Sequence, residues 1–312
     1  KEDDYGYKIL SYDPTITNIS DKIKHSKTIF DIQNLLAAAG FSPKPMEILD
    51  CHDSQTFYRA IKMENLKGKF VKPDEKWIKS LVDFCKKNRV STTEVADALG
   101  KSGVLHGLKP ICQNHYKVGL VKTVFTANNS NYSVHEQILD VEEGDVVIIF
   151  THNCNGRAII GDLIAKFITL YKGASAVVVV GNVRDVSALK RENFPIWSED
   201  FTPLGCYNIP AEPFPKEKEM ELRNLYEGGV AVCDDGGVTV IAKNLLNEDV
   251  LKRLHKIETQ EDLWFYCLDT LKWDTKKIVC DKAYLNEQEL FSSVHIDKIN
   301  ELKIPLDNVN NE

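Results

Sequence analysis

The sequence contains no apolar run near the roughly 20 residues that a membrane-spanning helix requires. Its longest apolar stretches, such as residues 174–181, are less than half that length. It also lacks any long Lys/Arg run. With 39 basic against 46 acidic side chains the net charge is −7, so no electrostatic footprint for nucleic acid or for an anionic membrane is expected. No apolar segment follows the charged and polar residues 1–7, so no secretory leader is expected from this sequence. None of the eight cysteines (Cys51, Cys85, Cys112, Cys154, Cys206, Cys233, Cys267 and Cys280) stands in a CxxC, which excludes a zinc ribbon or a thioredoxin-type pair. Scattered thiols in a chain of this size read as small buried hydrophobes of a reducing compartment, and a cytoplasmic location is expected. GxGxxG, GxxxxGK[ST] and GxSxG are all missing, so dinucleotide, P-loop and nucleophile-elbow chemistry have no support. His135-Glu136 is not followed by the second histidine of a zincin, and the eight histidines show no ligand spacing.

What is present is an ordinary globular composition, 43% hydrophobic and 27% charged over 312 residues. That length suits about two domains, or one domain with extensions. Residues 1–70 read as a separate N-terminal extension without a motif that carries chemistry. Its clearest feature is an amphipathic helix running from Ser26 through Ile29, Phe30, Ile32, Leu35 and Leu36 to a stop at Gly40. A core over residues 71–243 follows. Pro73-Asp-Glu opens a helix that puts Trp77, Ile78, Leu81, Val82, Phe84 and Cys85 on one face, and Ser91-Thr-Thr-Glu94 is a capping box for the next. Segments 118–125, 145–150 and 176–180 read as strands, the last two β-branched and continuously apolar, as in strands covered on both faces. Between them, residues 161–172 form a helix whose polar positions Asp162, Lys166, Thr169 and Lys172 make one narrow stripe. The whole is a βαβ unit. Residues 229–241 are a hairpin with its turn at 234–237. Residues 244–312 form a charged, helix-rich C-terminal extension.

The βαβ geometry brings charged groups to one edge. The helix N-terminus, with Asp162, lies at the carboxyl end of the first strand, and Arg184-Asp185 follow the carboxyl end of the second. Ligands of α/β sheets bind along that edge. The amides of Gly161, Asp162, Leu163 and Ile164, backed by the helix dipole, suit a small carboxylate. Asp185 could hold a divalent cation through oxygen, and Arg184 could stabilise a developing enolate. The plainer alternative is that Arg184 and Asp185 pair with neighbours and Asp162 caps its helix.

The run Gly161-Asp-Leu-Ile, then Gly-Asn-Val-Arg184-Asp185-Val, then Asn193-Phe-Pro-Ile-Trp-Ser198 and Phe201-Thr-Pro203 resembles the RraA-like superfamily. Ser91–Gly100, Asn131 with His135, and Gly229 with Asp234-Asp-Gly-Gly-Val agree in order, and the resemblance covers about residues 74–243. The superfamily holds the class II 4-hydroxy-4-methyl-2-oxoglutarate/4-carboxy-4-hydroxy-2-oxoadipate (pyruvate) aldolases and the regulators of ribonuclease E. The resemblance implies an α/β fold, an αββα sandwich, with trimers or hexamers and sites at subunit interfaces. It also implies a carbon–carbon lyase (aldolase or decarboxylase) acting on a 2-oxo acid through a pyruvate enolate, dependent on Mg²⁺ or Mn²⁺. Under it Arg184 binds substrate, Asp185 ligates the metal, Asp162 orients the catalytic water, and amides near Gly161, Leu163 and Ile164 hold the substrate carboxylate. Two departures stand out: Ala188 occupies a position that is acidic in the aldolases, and the helix between Gly161 and Arg184 is one residue longer than usual. The competing expectation is a non-catalytic regulator or scaffold that binds a partner protein.

Overall fold

The computed structural model describes residues 76–304; the helix expected over 26–40 lies outside them. The chain divides between Lys72 and Pro73, and the second unit is described here. Helix α1, Lys76–Asn88, buries Ile78, Leu81 and Cys85, spaced three and four apart along one face. Helix α2, Thr92–Ala98, starts on the expected capping box. The Ser91 amide donates to Glu94 Oε2 at 2.6 Å, and the Glu94 amide donates to Ser91 Oγ at 3.1 Å.

The strands are β1 (Lys109–Pro110), β2 (Lys117–Ala127), β3 (Val146–His152), β4 (Ala158–Ile160), β5 (Ala176–Val183), β6 (Ile196–Phe201), β7 (Val230–Asp234) and β8 (Gly237–Ile241). Their order is β1-β6-β5-β3-β2-β7-β8, with β4 beside β5. Strands β2, β3, β5 and β6 run parallel. The β7–β8 hairpin adds antiparallel to β2, with Asp234 paired to Gly237 across the expected turn.

Alternation along the central strands explains the layering. Val147 and Ile149 of β3 and Val177 and Val179 of β5 pack with Val134, Ile164 and Leu189 from helices α3 (Tyr132–Gln137), α4 (Asp162–Lys166) and α5 (Val186–Arg191). Their neighbours Val146, Ile148 and Val178 point the other way and share a core with Trp197 of β6 and with Ala231, Cys233 and Val240 of the hairpin. Strands β6 and β7 are four places apart in the order, yet the Trp197 indole donates to the Asp234 carbonyl at 2.8 Å. The sheet is therefore folded over on itself. On the hairpin's far side, Val230, Val232 and Ile241 pack with Ile78, Leu81, Val95 and Leu254. The layers are helix, sheet, sheet, helix.

Helix α6 spans Lys216–Tyr226, and α7, Glu248–Asp269, serves two cores. Its first half sends Val250 and Leu254 against the hairpin; its second half sends Leu263 and Cys267 against Ile278, Tyr284, Phe291 and Ile299, the last from α8 (Ser293–Lys303). Among the described residues no helix is long and apolar enough to cross a membrane.

The helix expected over 161–172 is not uniform. After α4 the chain widens into a π-turn, Phe167–Tyr171, in which the Lys172 amide donates to the Phe167 carbonyl at 3.0 Å. A wide turn of this kind takes up one residue more than regular helix. It also corrects the polar stripe. Thr169 is buried and its hydroxyl donates to the Ala165 carbonyl at 2.7 Å, whereas the apolar Leu163 is 75% exposed.

One buried-face charge gives a stability prediction. Burial first, then the charges of Glu94, Asp262 and Glu261, raise the Glu258 carboxyl on α7 from 4.5 to about 7. Between those values the folded chain binds more protons than the unfolded one, so this group's contribution to stability declines as pH rises through that window. Glu258→Gln should flatten that decline and stabilise the protein above the window by about 0.5 kcal/mol, the scale of a relieved like-charge pair on a helix surface. Urea unfolding on either side of the window measures it, and a variant no more stable than the parent on the alkaline side contradicts it.

Candidate active site

The parallel strands β4 and β5 end at the same edge, and their ends deliver the expected residues to one cleft. Gly161 follows β4 and caps α4, so Asp162, Leu163 and Ile164 form the helix's first turn. The Arg184 amide donates to the Ile160 carbonyl at 3.0 Å, which fixes the chain leaving β5 beside the chain leaving β4. Asp185 then turns the backbone into α5 in a left-handed conformation (φ 59°, ψ 33°). Its carbonyl accepts from the Ala188 and Leu189 amides at 2.9 and 3.0 Å, but its carboxylate makes no cap bond to its own helix. Instead Asp185 Oδ2 accepts from the Asp162 amide at 3.3 Å and lies 3.5 Å from Arg184 Nε. A left-handed aspartate is a modestly strained backbone, and here it turns the carboxylate towards the cleft and away from helix capping.

Two glycines make room for the arginine. A Cβ on Gly161 would stand 2.1 Å from Asp185 Oδ2 and 3.1 Å from Arg184 Cγ and Nε. A Cβ on Gly205 would stand 2.5 Å from Arg184 Nη1. Arg184 is thus seated between two bare stretches of backbone. The cleft is lined by Asn131, His135, Gly161, Asp162, Leu163, Ile164, Arg184, Asp185, Cys206 and Asn208, with Ala158 and Ile159 behind them. Asn131 is buried, and its Nδ2 donates to the Ile159 carbonyl at 3.1 Å.

Every residue singled out from the sequence (Gly161, Asp162, Leu163, Ile164, Arg184 and Asp185) therefore lines this one cleft. The arrangement offers first-turn amides, one guanidinium and the carboxylates of two cleft-lining aspartates, a set that can bind a small oxo acid and stabilise negative charge on its oxygen. Sequence reasoning did not assign Gly205, Cys206 or Asn208. They arrive on the loop after β6, where the Ala158 amide donates to the Leu204 carbonyl and the Cys206 amide to the Ala158 carbonyl, at 2.8 and 3.1 Å. Asn131 and His135 had a signal, their matching order in the resemblance, but none that placed them in the cleft.

The family model for RraA-like proteins (aldolase/RraA) matches residues 92–240, the span that holds this whole cleft. Those residues are an RraA-like domain. A protein of Halalkalibacterium halodurans, provisionally named a 4-hydroxy-4-methyl-2-oxoglutarate aldolase, is 29% identical over 197 residues, which is 58% of this chain and 86% of that protein. Among solved structures, an uncharacterised protein from Pseudomonas syringae pv. tomato is 23% identical with a TM-score of 0.47, over 62% of this chain and 93% of its own. Streptomyces coelicolor RraAS2, described as an unusual member of the RNase ES inhibitor RraA family, is 19% identical with a TM-score of 0.47, over 62% of this chain and 96% of its own. The RraA-like domain begins at the capping box of α2 and ends in β8. Helix α1 precedes the matched span, and α7 follows it while packing against the same hairpin.

Proposed function

We propose that the cleft of the RraA-like domain cleaves a carbon–carbon bond of a 2-oxo acid by way of a pyruvate enolate. The observation that carries this reading is the convergence of Arg184, Asp185 and Asp162 on one sheet edge, where Asp185 leaves its own helix uncapped to face the other two. The name of the Halalkalibacterium relative supports the same substrate class.

The residues suit each part of the reaction. The substrate carboxylate docks on the amides near Leu163 and Ile164, and Arg184 faces the C2 oxygen. A water held by Asp162 takes the proton of the C4 hydroxyl. As that hydroxyl becomes a carbonyl, the C3–C4 bond breaks and its electron pair moves to the C2 oxygen, where Arg184 stabilises it. Proton return at C3 gives pyruvate. Decarboxylation of oxaloacetate passes through the same enolate and is expected beside it.

A divalent ion could be held by the carboxylates of the cleft. Among the described residues no three His, Cys, Asp or Glu side chains converge to hold a metal. The Asp185 carboxylate, with Asp162 next to it, is the one- or two-carboxylate arrangement that magnesium tolerates while keeping several waters. When bound, such an ion would supply positive charge to the enolate oxygen. The deciding experiment measures pyruvate released from a panel of 2-oxo and 4-hydroxy-2-oxo acids, with and without chelator. Release should vanish with EDTA and return with Mg²⁺ or Mn²⁺. Turnover that survives exhaustive chelation removes the metal from the reading, and no pyruvate under any condition leaves the protein-binding regulator.

The rim of the cleft is apolar and open: Leu163, Leu204, Tyr207 and Ile209 are all more than half exposed. Such a patch around a polar site marks an interaction surface. We place there a second copy of this chain, in a trimer or a multiple of it. Light scattering at micromolar protein should show the oligomer; a clean monomer would refute the assembly.

A further inference from the structure

We propose that Cys154 and Cys206 are a modification site, a thiol pair beside the cleft that a peroxide oxidises to a disulfide. The two belong to segments already stitched together. Cys154 opens a turn closed by the Arg157 amide donating to the Cys154 carbonyl at 2.9 Å, with Asn155 and Gly156 both at positive φ. Across from it, Ala158 pairs with Gly205, and the Arg157 Nη1 donates to the Gly205 carbonyl at 2.8 Å. The Arg157 guanidinium also lies 4.6 Å from the centre of the Tyr207 ring. These contacts hold the two segments together: Cys206 packs against the buried cluster that includes Cys154, the Cys154 thiol donates to the His152 carbonyl at 3.5 Å, and neither cysteine is in a disulfide. Cys206 lines the cleft, while Cys154 is buried behind it.

The pair is also chemically asymmetric. The hydrogen bond from Cys206 outweighs burial and brings the Cys154 thiol down to about 7, whereas that same bond and burial push Cys206 up. Other buried cysteines differ. Burial, with acidic neighbours, raises Cys85 to about 12, and burial raises Cys233 as well. A thiolate within reach of a second thiol is the arrangement that oxidises selectively. In the reaction, the Cys154 thiolate attacks one peroxide oxygen. The O–O bond breaks, and the departing hydroxide takes up a proton to leave as water, giving a sulfenic acid. Cys206, giving up its proton, attacks that sulfur and expels the second oxygen as water. One peroxide is thereby reduced to two waters, and the two thiols are oxidised to one disulfide. The new bond would tie the 154–157 turn to the loop carrying Gly205, the backbone against which Arg184 Nη1 rests.

The test treats the full chain with stoichiometric hydrogen peroxide, blocks the remaining thiols and maps the peptides. A single Cys154–Cys206 cross-link reversed by dithiothreitol is expected, with Cys154 lost about tenfold faster than the exposed Cys280. Cys206→Ser should halt the reaction at a sulfenic acid on Cys154 that dimedone traps, and Cys154→Ser should leave Cys206 reduced. The proposal is overturned if both thiols remain titratable at doses that oxidise Cys280, or if Cys154 cross-links to any other cysteine. Should either variant fail to fold, the cross-link map of the unaltered chain decides alone.

Discussion

Gly161→Ala is expected to lower kcat/KM for the lyase reaction at least about 10²-fold, the scale of an ångström's misplacement of reacting groups, with little change in thermal unfolding. The backbone at Gly161 is extended (φ −127°, ψ −161°), a conformation open to alanine. The effect must therefore come from the added methyl alone. That methyl would fall 2.1 Å from Asp185 Oδ2 and 3.1 Å from Arg184 Nε, well inside contact distance, so the carboxylate and the guanidinium would both be displaced. Both side chains are partly exposed and can swing outward, which spares the fold and loses the site. Steady-state kinetics beside a melting curve separate these effects. Turnover close to that of the parent would show that the Arg184–Asp185 geometry has no part in the reaction.

Arg184→Lys tests the same geometry from the other side. Lysine keeps the charge but loses the planar fork, and it cannot fill the slot between Gly161 and Gly205 as the guanidinium does. If the C2 oxygen gathers negative charge against this group, kcat should fall at least about 10²-fold, the scale for removing one oxyanion donor. KM should change far less, because the substrate carboxylate is held elsewhere, on the α4 amides. A fall in affinity with kcat intact would reassign Arg184 to ground-state binding. Equal kinetics in both forms would make it structural.

The parts of this molecule legible in the sequence are those fixed by neighbours in the chain. The Ser91–Glu94 capping box, the turn at Asp234 and the β-branched runs of β3 and β5 each carry a local signature, and each appears where expected. The meeting of Asp162 with Arg184 and Asp185 was legible too, because parallel strands joined by a helix must end on one edge. Three features were not. Gly205 and Cys206 reach the cleft on a loop, and loop contacts between distant segments leave no period to read. Thr169 misled because a helical wheel assumes an α-turn, whereas its turn is wider and its hydroxyl is satisfied from within. Helix α7 reads as a charged extension, yet Val250 and Leu254 complete the layer begun by α1 and α2.

The capping of α2 by the far hairpin bears on how the chain can be synthesised. The Thr92 amide and hydroxyl donate to the two carboxylate oxygens of Asp234, at 2.8 and 2.7 Å, across 142 residues of sequence. Emerging in order from the ribosome, α1 and α2 are finished long before the hairpin that caps and covers them exists. Until β7 is made, Val95 and Ala98 lack the hairpin residues Val230, Val232 and Ile241 of their cluster. Contacts of such separation close late, after the loop entropy between them has been overcome. The front of this unit must therefore wait, uncovered, for its own rear, and that interval is when the nascent chain most needs protection from other apolar surfaces.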